Sequence, residues 1–219
     1  MAHAPQNTME AFELALRLGA TGLETDIWLT TDGVAVCDHD GVIRGKLRKR
    51  AICDLRYDEL PTTIPKAADL FTLAAAAGVP VSVDVCDAAG LGVIVGDAHA
   101  AGLAQESLWL CHTDIEMLTA WRAISPQVRL VNSTRLAAMR EGPERRAAVL
   151  AERGIDAVNL HHLDWSGGLT SLFHRFERYC LGWDLQHPRT IATGLRIGLD
   201  GLFGDWVDRL VDPGYSQPR

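Results

Sequence analysis

The chain has 219 residues, of which 47% are hydrophobic, and a formal net charge of −7. This composition supplies enough apolar side chains for one of the larger packed domains and excludes an intrinsically disordered chain. No apolar run approaches the roughly 20 residues that cross a bilayer, so we predict no membrane span. The acidic balance disfavours general nucleic-acid binding. The five cysteines are an odd number without a CxxC pair, which favours reduced thiols and a cytoplasmic location.

After Pro5, helix-like and strand-like segments alternate, an order typical of a parallel sheet with crossover helices. Thr8 is the predicted N-cap of a first amphipathic helix that ends near Leu18 and Gly19. Seven strands are predicted near residues 22–29, 79–85, 106–111, 127–132, 155–160, 179–184 and 199–204. Most of them are separated by predicted helices, near residues 65–77, 88–101, 114–124, 135–153, 168–178 and 187–195.

Seven strands in this order are one short of a (β/α)8 barrel, which closes with eight parallel strands. We therefore predict a single α/β domain over residues 1–219, a TIM (β/α)8 barrel whose first strand either lies upstream of Met1 or is missing from the reading frame. An open doubly wound sheet is the rival fold. No glycine-rich nucleotide-binding fingerprint follows an early strand, so the barrel is favoured.

Acidic residues concentrate on two of the predicted strands. Glu24 and Asp26 are two residues apart and share one strand face. Two inward-facing carboxylates repel each other unless a cation neutralises them, and hard divalent ions prefer such oxygen ligands. Asp84, in the alternating segment VPVSVDV, faces away from the valines and completes a three-carboxylate metal site. The alternative is a solvated edge strand whose polar face carries acids by chance.

A tight hairpin is predicted at the Asp32-Gly33 dipeptide, which follows Thr31. If these two residues form the whole loop, Asp26 lies opposite His39. The register places His39 beside the acidic pair, where a histidine acts as a ligand or as a proton carrier.

Two further groups are candidates for a site. His161, His162 and Asp164 follow a predicted strand and are candidates to line a pocket, but no ligand spacing supports a second metal site there. A basic run after His39 has two open interpretations, a site for a phosphate or anionic headgroup and a solvated loop. The run consists of Arg44, Lys46, Arg48, Lys49 and Arg50.

The segment PQNTMEAFELALRLGATGLETDIWLTTDGVAVCDHD resembles the N-terminal signature of the glycerophosphodiester phosphodiesterase family, whose pattern runs HRG, PENT, A-F, G-A, E-x-D, T-x-D-G and HD. The resemblance continues in order through IPKAADLF, GIDAVNLHH, GWDLQHP and DGLFGDWVDRLV. It implies a TIM barrel that uses Mg²⁺ or Ca²⁺ to hydrolyse a small-molecule glycerophosphodiester to glycerol 3-phosphate and an alcohol. It also implies that Glu24, Asp26 and Asp84 are metal ligands, that His39 is one of two catalytic histidines, and that Trp183 lies near the substrate.

The sequence also departs from the family pattern. Nothing before Pro5 matches HRG, and His3 aligns with a variable position before PENT, where we predict a loop residue. The family motif N-I-E-I-K is SVDVC here, so Asp84 is a shorter ligand and Cys86 replaces a phosphate-facing lysine. The arginine of HRG and the lysine of N-I-E-I-K are both absent. Without these two cations, the charge stabilisation on which phosphoryl transfer depends is weaker. The alternative hypothesis is therefore a degenerate barrel that binds phosphodiesters or lipid headgroups without turnover. A lysophospholipase D-like activity is retained as a substrate variant.

Overall fold

The computed structural model describes residues 2–44 and 49–212. The chain divides into two compact units. The first contains residues 3–17, 21–44 and 49–110, and the second contains residue 2, residues 18–20 and residues 111–212. Strands alternate with helices in both units, as the sequence predicts for an α/β protein. That residues 1–219 form a single domain stays a prediction.

The first unit carries a mixed sheet. Its elements are α1 (Met9–Arg17), β1 (Leu23–Leu29), β2 (Ala35–Cys37), β3 (Val42–Arg44), β4 (Lys49–Ala51), α2 (Ala67–Ala77), β5 (Val81–Val85), α3 (Leu91–Ala100) and most of β6 (Leu108–His112). The strand order is β6-β5-β1-β2, with β1 parallel to β5 and antiparallel to β2. Strands β3 and β4 pair with each other as a separate antiparallel hairpin.

Local sequence explains the first elements. The Thr8 hydroxyl oxygen accepts a hydrogen bond from the Ala11 N–H at 3.3 Å, which confirms the predicted N-cap of α1. Phe12 is 1% exposed on the apolar face of the helix, and Gly19 adopts a φ of +97° just beyond its end. Within residues 2–44, α1 is the first regular element.

The segment between β2 and α2 covers a small hydrophobic cluster of its own. Its buried members are Val36, Ile52, Leu55, Leu60 and Ile64, and Trp28, Val34, Ile43 and Tyr57 pack against it. Two 3₁₀ turns, Ile52–Asp54 and Tyr57–Glu59, shape this segment. The cluster supports the chain that leads out of β2, which includes His39.

The second unit continues the alternation. Its elements are α4 (Ile115–Ile124), β7 (Arg129–Thr134), α5 (Pro143–Glu152), β8 (Ala157–His161), α6 (Gly167–Arg175), β9 (Tyr179–Trp183), α7 (Pro188–Arg196), β10 (Gly201–Leu202) and α8 (Val207–Val211). Strands β7, β8, β9 and β10 lie side by side, and each documented pair among them is parallel. Leu130, Val158, Leu160 and Phe173 are fully buried in its core.

Each of the seven predicted strands is present, and β3, β4 and α8 are additional elements. The predicted helix over residues 135–153 is too long, because only Pro143–Glu152 is α-helical. The helix begins there since Gly142, with a φ of +90°, turns the chain and Pro143 occupies the first helical turn. The earlier residues form a 3₁₀ turn, Leu136–Ala138, whose first N–H donates to Asp164.

Candidate active site

Three carboxylates converge in the first unit, where β1 and β5 run side by side. Leu23, Thr25 and Ile27 are buried on one face of β1, so the side chains of Glu24 and Asp26 point to the other face and are half-buried. The parallel register pairs Glu24 with Ser82 and Asp26 with Asp84.

One carboxylate oxygen from each of Glu24, Asp26 and Asp84 lies within 4.8 Å of the others. The structure thus brings together the three residues that the sequence predicts as metal ligands. Carboxylate oxygens are the ligands that Mg²⁺ and Ca²⁺ prefer, and a divalent cation would offset the repulsion among three acids. The donor set therefore fits a hard divalent cation.

The surroundings of Asp26 act on the pKa of its carboxyl in opposite directions. Burial raises the pKa of its carboxyl above the ordinary value of 3.8, and the negative charge of Asp38 acts in the same direction. A hydrogen bond from the Asn7 side-chain amide, at 3.2 Å, and the charge of His39 oppose that rise. Asp26 thus occupies a position where its negative charge is costly unless a positive group accompanies it.

His39 lies just beyond β2 and is held by its neighbour. Its Nδ1 is 3.0 Å from Asp40 Oδ1, and the other oxygen of Asp40 accepts from Arg44 at 3.3 Å. The hydrogen bond to Asp40 raises the pKa of the imidazole above 6.5, the charges of Asp26 and Asp38 add to the rise, and burial opposes it. Because Asp40 occupies Nδ1, Nε2 is the nitrogen left to exchange a proton with a ligand.

The predicted hairpin register is wrong by one residue. Strands β1 and β2 pair Leu29 with Ala35 and Ile27 with Cys37, so Asp26 lies opposite Asp38 rather than His39. Asp38 N–H donates to Asp26 O at 3.1 Å.

The loop that causes this difference has three residues, Thr31 to Gly33, instead of two. Gly33 adopts the left-handed φ of +77° that such a loop requires at its last position. The Thr30 hydroxyl closes the loop by donating to Asp32 at 2.7 Å and accepting from the Val34 N–H at 3.0 Å. His39 still lies close enough to Asp26 for their charges to interact.

Cys86 follows β5 at the position where the family pattern has lysine. Its backbone N–H donates to Ile27 O at 3.1 Å, which fixes the residue beside β1. Burial raises the pKa of the thiol to about 12, and the charges of Asp26, Asp84 and Glu24 add to the rise. Cys86 is therefore a neutral thiol at physiological pH and supplies no positive charge.

Trp183 ends β9 in the second unit. Its ring lies edge-on to that of His161, with centroids 4.5 Å apart, and the Arg135 guanidinium is 5.8 Å from the Trp183 ring centroid. Arg135 also forms an ion pair with Asp164 at 2.6 Å. Trp183 is therefore packed among polar side chains, and its role toward a substrate stays a prediction.

His161, His162 and Asp184 form a second cluster whose ligand atoms lie within 4.8 Å of one another. His161 Nδ1 accepts the Leu163 N–H at 3.2 Å, so its proton is on Nε2, which faces Asp184 Oδ2 at 3.1 Å. The Nε2 lone pair is then unavailable to a metal. The geometry favours a hydrogen-bonded histidine–aspartate pair.

A third cluster contains His174, Cys180 and Asp200. One Asp200 oxygen accepts both the His174 Nε2 hydrogen, at 2.8 Å, and the Cys180 N–H, at 2.7 Å. Burial raises the pKa of the Cys180 thiol to about 12. These contacts tie α6 to the start of β9, which is a structural role.

The basic run after His39 is only partly described, because Lys46 and Arg48 lie outside the described residues. Arg44 contacts Asp40, and Arg50 contacts Glu59 at 3.1 Å. Both arginines are partnered by acids of the same unit, which favours the interpretation as a charged surface loop.

Asn7 and Thr25 adjoin the acidic cluster and are not among the site residues predicted from the sequence. Both are buried. Asn7 donates to the Asp26 carboxylate, and the Thr25 hydroxyl donates to Asn7. The signal available in the sequence is the pair Asn7-Thr8, an amide directly before a helix N-cap.

Comparison with known proteins gives this site a context. The sequence profile of the Glycerophosphoryl diester phosphodiesterase family matches residues 1–85, the segment that holds all three carboxylates and His39. The protein named probable glycerophosphodiester phosphodiesterase 2 of Mycobacterium tuberculosis is 29% identical over 227 residues, which cover 95% of this chain and 84% of that protein. Glycerophosphodiester phosphodiesterase 1 of Rattus norvegicus is 40% identical over 65 residues, which cover 29% of this chain and 20% of that protein.

Solved structures agree on the fold. A glycerophosphodiester phosphodiesterase from Thermotoga maritima aligns with a TM-score of 0.82 at 18% identity and covers 96% of this chain and 92% of its own. A phosphodiesterase from Oleispira antarctica, solved in complex with the product sn-glycerol-3-phosphate, aligns with a TM-score of 0.79 at 18% identity and covers 98% and 93%. The fold is thus the α/β fold of the TIM-barrel phosphodiesterases. The family profile thus matches the first 85 residues, and 95% of the chain aligns with a protein named as a probable glycerophosphodiester phosphodiesterase.

Across residues 2–44 and 49–212, no helix is both long enough and apolar enough to span a bilayer.

Proposed function

We propose that this protein is a divalent-cation-dependent phosphodiesterase that hydrolyses glycerophosphodiesters to glycerol 3-phosphate and an alcohol. The observation that carries the proposal is the convergence of oxygens from Glu24, Asp26 and Asp84 within 4.8 Å in the unit that also holds His39. The names of the relatives point to the same substrate class.

Glu24, Asp26 and Asp84 are the proposed ligands of Mg²⁺ or Ca²⁺. Such a cation, when bound, polarises a phosphoryl oxygen and neutralises charge on the phosphate. The three side chains are half-buried on adjacent strands, so they hold their oxygens on a rigid support and need little rearrangement.

His39 is the proposed general acid that protonates the leaving alcohol. Asp40 holds Nδ1 and raises the pKa of the imidazole, so the proton on Nε2 is retained to a higher pH than in an isolated histidine. In this proposal the neighbouring glycerol hydroxyl of the substrate attacks the phosphorus and displaces the alcohol, and water then opens the resulting cyclic phosphate to give glycerol 3-phosphate.

The test uses sn-glycero-3-phosphocholine, with release of glycerol 3-phosphate measured by a coupled dehydrogenase assay. We expect turnover with Mg²⁺ or Ca²⁺ and none after chelation by EDTA. An analogue without the glycerol hydroxyl next to the phosphate should bind and resist cleavage. Cation-independent turnover, or equal cleavage of the analogue, would contradict the proposed mechanism.

A second candidate function is binding of phosphodiesters or lipid headgroups without turnover. Cys86 favours it, because the neutral thiol occupies the place where the family pattern puts a cation. Calorimetric binding of the diester in a sample that releases no glycerol 3-phosphate would support this function. Choline release from lysophosphatidylcholine would instead identify the lysophospholipase D-like variant.

A cytoplasmic location is also proposed. It is supported by the cysteines, since all five lie within the described residues and are free thiols.

A further inference from the structure

We propose that Asn7, held by Thr25, is a positioning residue that presents Asp26 to the divalent cation. The inference rests on the proposed cation site and extends it to two residues that are not themselves ligands. It starts from a hydrogen-bond chain in which Thr25 Oγ1 contacts Asn7 Oδ1 at 3.0 Å and Asn7 Nδ2 contacts Asp26 Oδ2 at 3.2 Å.

The direction of this chain is fixed by chemistry. An ionised carboxylate only accepts hydrogen bonds, so the Asn7 amide must turn its NH₂ group toward Asp26. Its carbonyl oxygen then faces Thr25, whose hydroxyl donates. Thr25 is fully buried and Asn7 is 6% exposed, so water does not readily replace either partner.

The backbone at Asn7 serves the same arrangement. Asn7 has a φ of +54°, in the left-handed region that asparagine tolerates better than most residues. The next residue, Thr8, caps α1 and also donates to Pro5 O at 2.7 Å. One turn therefore starts the first helix and places the amide against the cation ligand.

Two strand faces are linked in this way. Thr25 points to the buried face of β1, whereas Asp26 points to the face of the acidic cluster. Asn7 contacts both residues. The buried Thr25 hydroxyl therefore orients the Asn7 amide, and the amide orients the Asp26 carboxylate. Partners that orient a ligand in this manner typically change metal affinity when they are removed.

The competing explanation is that the hydrogen bonds of Asn7 and Thr25 only stabilise the fold. Substitutions that remove single groups distinguish this explanation from a role in cation binding. Asn7→Gly keeps the left-handed backbone conformation available and removes only the amide. Thr25→Val keeps the shape of the buried side chain and removes the hydroxyl. Thr170→Val is the matched control, since Thr170 is 2% exposed and its hydroxyl donates to Ile197 O in the second unit.

The experiment is calorimetric titration of each folded protein with Ca²⁺ or Mg²⁺ alone, with thermal unfolding measured in parallel. We expect Asn7→Gly and Thr25→Val each to weaken cation binding by roughly 10- to 100-fold. The double variant should lose no more than the stronger single variant, because the two groups act in series. Thr170→Val should lower the melting temperature and leave the Kd unchanged.

Parent-like cation Kd values in Asn7→Gly and Thr25→Val, with only the melting temperature lowered, would overturn the proposal. If Asn7→Gly does not fold, Thr25→Val decides alone. Cation binding by the parent without hydrolysis would contradict the proposed function and leave this inference standing. Absence of cation binding in the parent would overturn both.

Discussion

At the scale of single residues, the catalytic role proposed for His39 can be tested separately from folding. Its side chain is 61% exposed and its polar contact is to Asp40, so the fold does not depend on it. We predict that His39→Ala lowers the rate of glycerophosphodiester hydrolysis by roughly 10²- to 10⁴-fold, the usual loss for a general acid. Melting temperature and cation affinity should stay at parent values.

The matched control is His99→Ala, which removes an exposed histidine of α3 in the same unit. It should retain parent activity. If His39→Ala unfolds the protein, or keeps full turnover, His39 is not the general acid.

A pH profile tests the pairing of His39 with Asp40. The hydrogen bond that His39 donates to Asp40 is the largest cause of the raised His39 pKa, with the charges of Asp26 and Asp38 added. A general acid works while protonated, so activity should fall as pH rises through a pKa above 6.5. Asp40→Asn should move this alkaline limb of the kcat/KM profile to lower pH.

Asp58→Asn, which removes an exposed acid paired with Arg56, is the control and should leave the profile unchanged. An alkaline limb at the same pH in Asp40→Asn would show that Asp40 does not set the His39 pKa.

At the scale of elements, two left-handed glycines in the β1–β2 region differ in what surrounds them. A Cβ on Gly33, at φ +77°, meets nothing within 4 Å, whereas a Cβ on Gly41, at φ +64°, falls 2.4 Å from the Trp28 ring. Gly33→Ala carries only the backbone penalty, about 1 kcal/mol, and Gly41→Ala adds overpacking for a total of roughly 2–4 kcal/mol.

Denaturant unfolding of the two alanine variants checks this prediction. Gly41→Ala should also lower activity in the fraction that stays folded, because Gly41 follows Asp40 directly and any shift moves the His39 segment. Equal destabilisation of the two variants would contradict the role assigned to Trp28.

The same region shows how far sequence reasoning reaches. Alternation in LETDIWL and VPVSVDV predicts which faces carry Glu24, Asp26 and Asp84, because side-chain direction along a strand follows from sequence position alone. The register between β1 and β2 does not follow in that way. It depends on whether the Thr30 hydroxyl closes a loop of three residues instead of two, and that one-residue difference in the loop shifts every pair by one position.

The seven strands predicted from the sequence are all present, whereas the first residue of helix α5 is not predicted correctly. Most of the seven strands are short segments rich in apolar residues, which is visible in the composition of the sequence. Helix α5 starts eight residues later than predicted (143 instead of 135), because Gly142 and Pro143 determine the start. The Asn7-Thr8 pair marks a helix start in the sequence, but the contacts of Asn7 with Thr25 and Asp26 do not follow from it, because these partners are distant in sequence.

At the scale of the whole molecule, the cation should stabilise the fold. A ligand that binds only the native state at about 100 times its Kd adds about 2.7 kcal/mol to the free energy of unfolding. For a chain of this length, that corresponds to a rise of roughly 5–10 °C in melting temperature. Replacing Glu24 and Asp26 together by alanine should remove the dependence on Mg²⁺ or Ca²⁺.

Thermal unfolding at several cation concentrations measures this effect, and Na⁺ at matched ionic strength controls for general screening. A parent melting temperature that does not change with millimolar cation would contradict the three-carboxylate site.

The half-buried position of Asp26 also opposes stability. Burial raises its folded-state pKa above 3.8, so the folded chain binds this proton more tightly than the unfolded chain does. Stability without cation therefore falls as pH rises through that interval and stays reduced at neutral pH. Asp26→Asn should accordingly melt at a higher temperature than the parent in EDTA and at a lower one in saturating cation.

A lower melting temperature for Asp26→Asn in EDTA would show that the charge is already compensated within the protein. If Asp26→Asn melts higher than the parent in EDTA and lower in saturating cation, the stability of the protein depends on the divalent cation. The carboxylates proposed to bind the cation then also make the lifetime of the protein depend on the cation concentration. Chains made where divalent cation is scarce would open more often and be degraded sooner, because proteolysis follows the population of the open form. The abundance of this enzyme would then report the availability of its cofactor without any dedicated sensor.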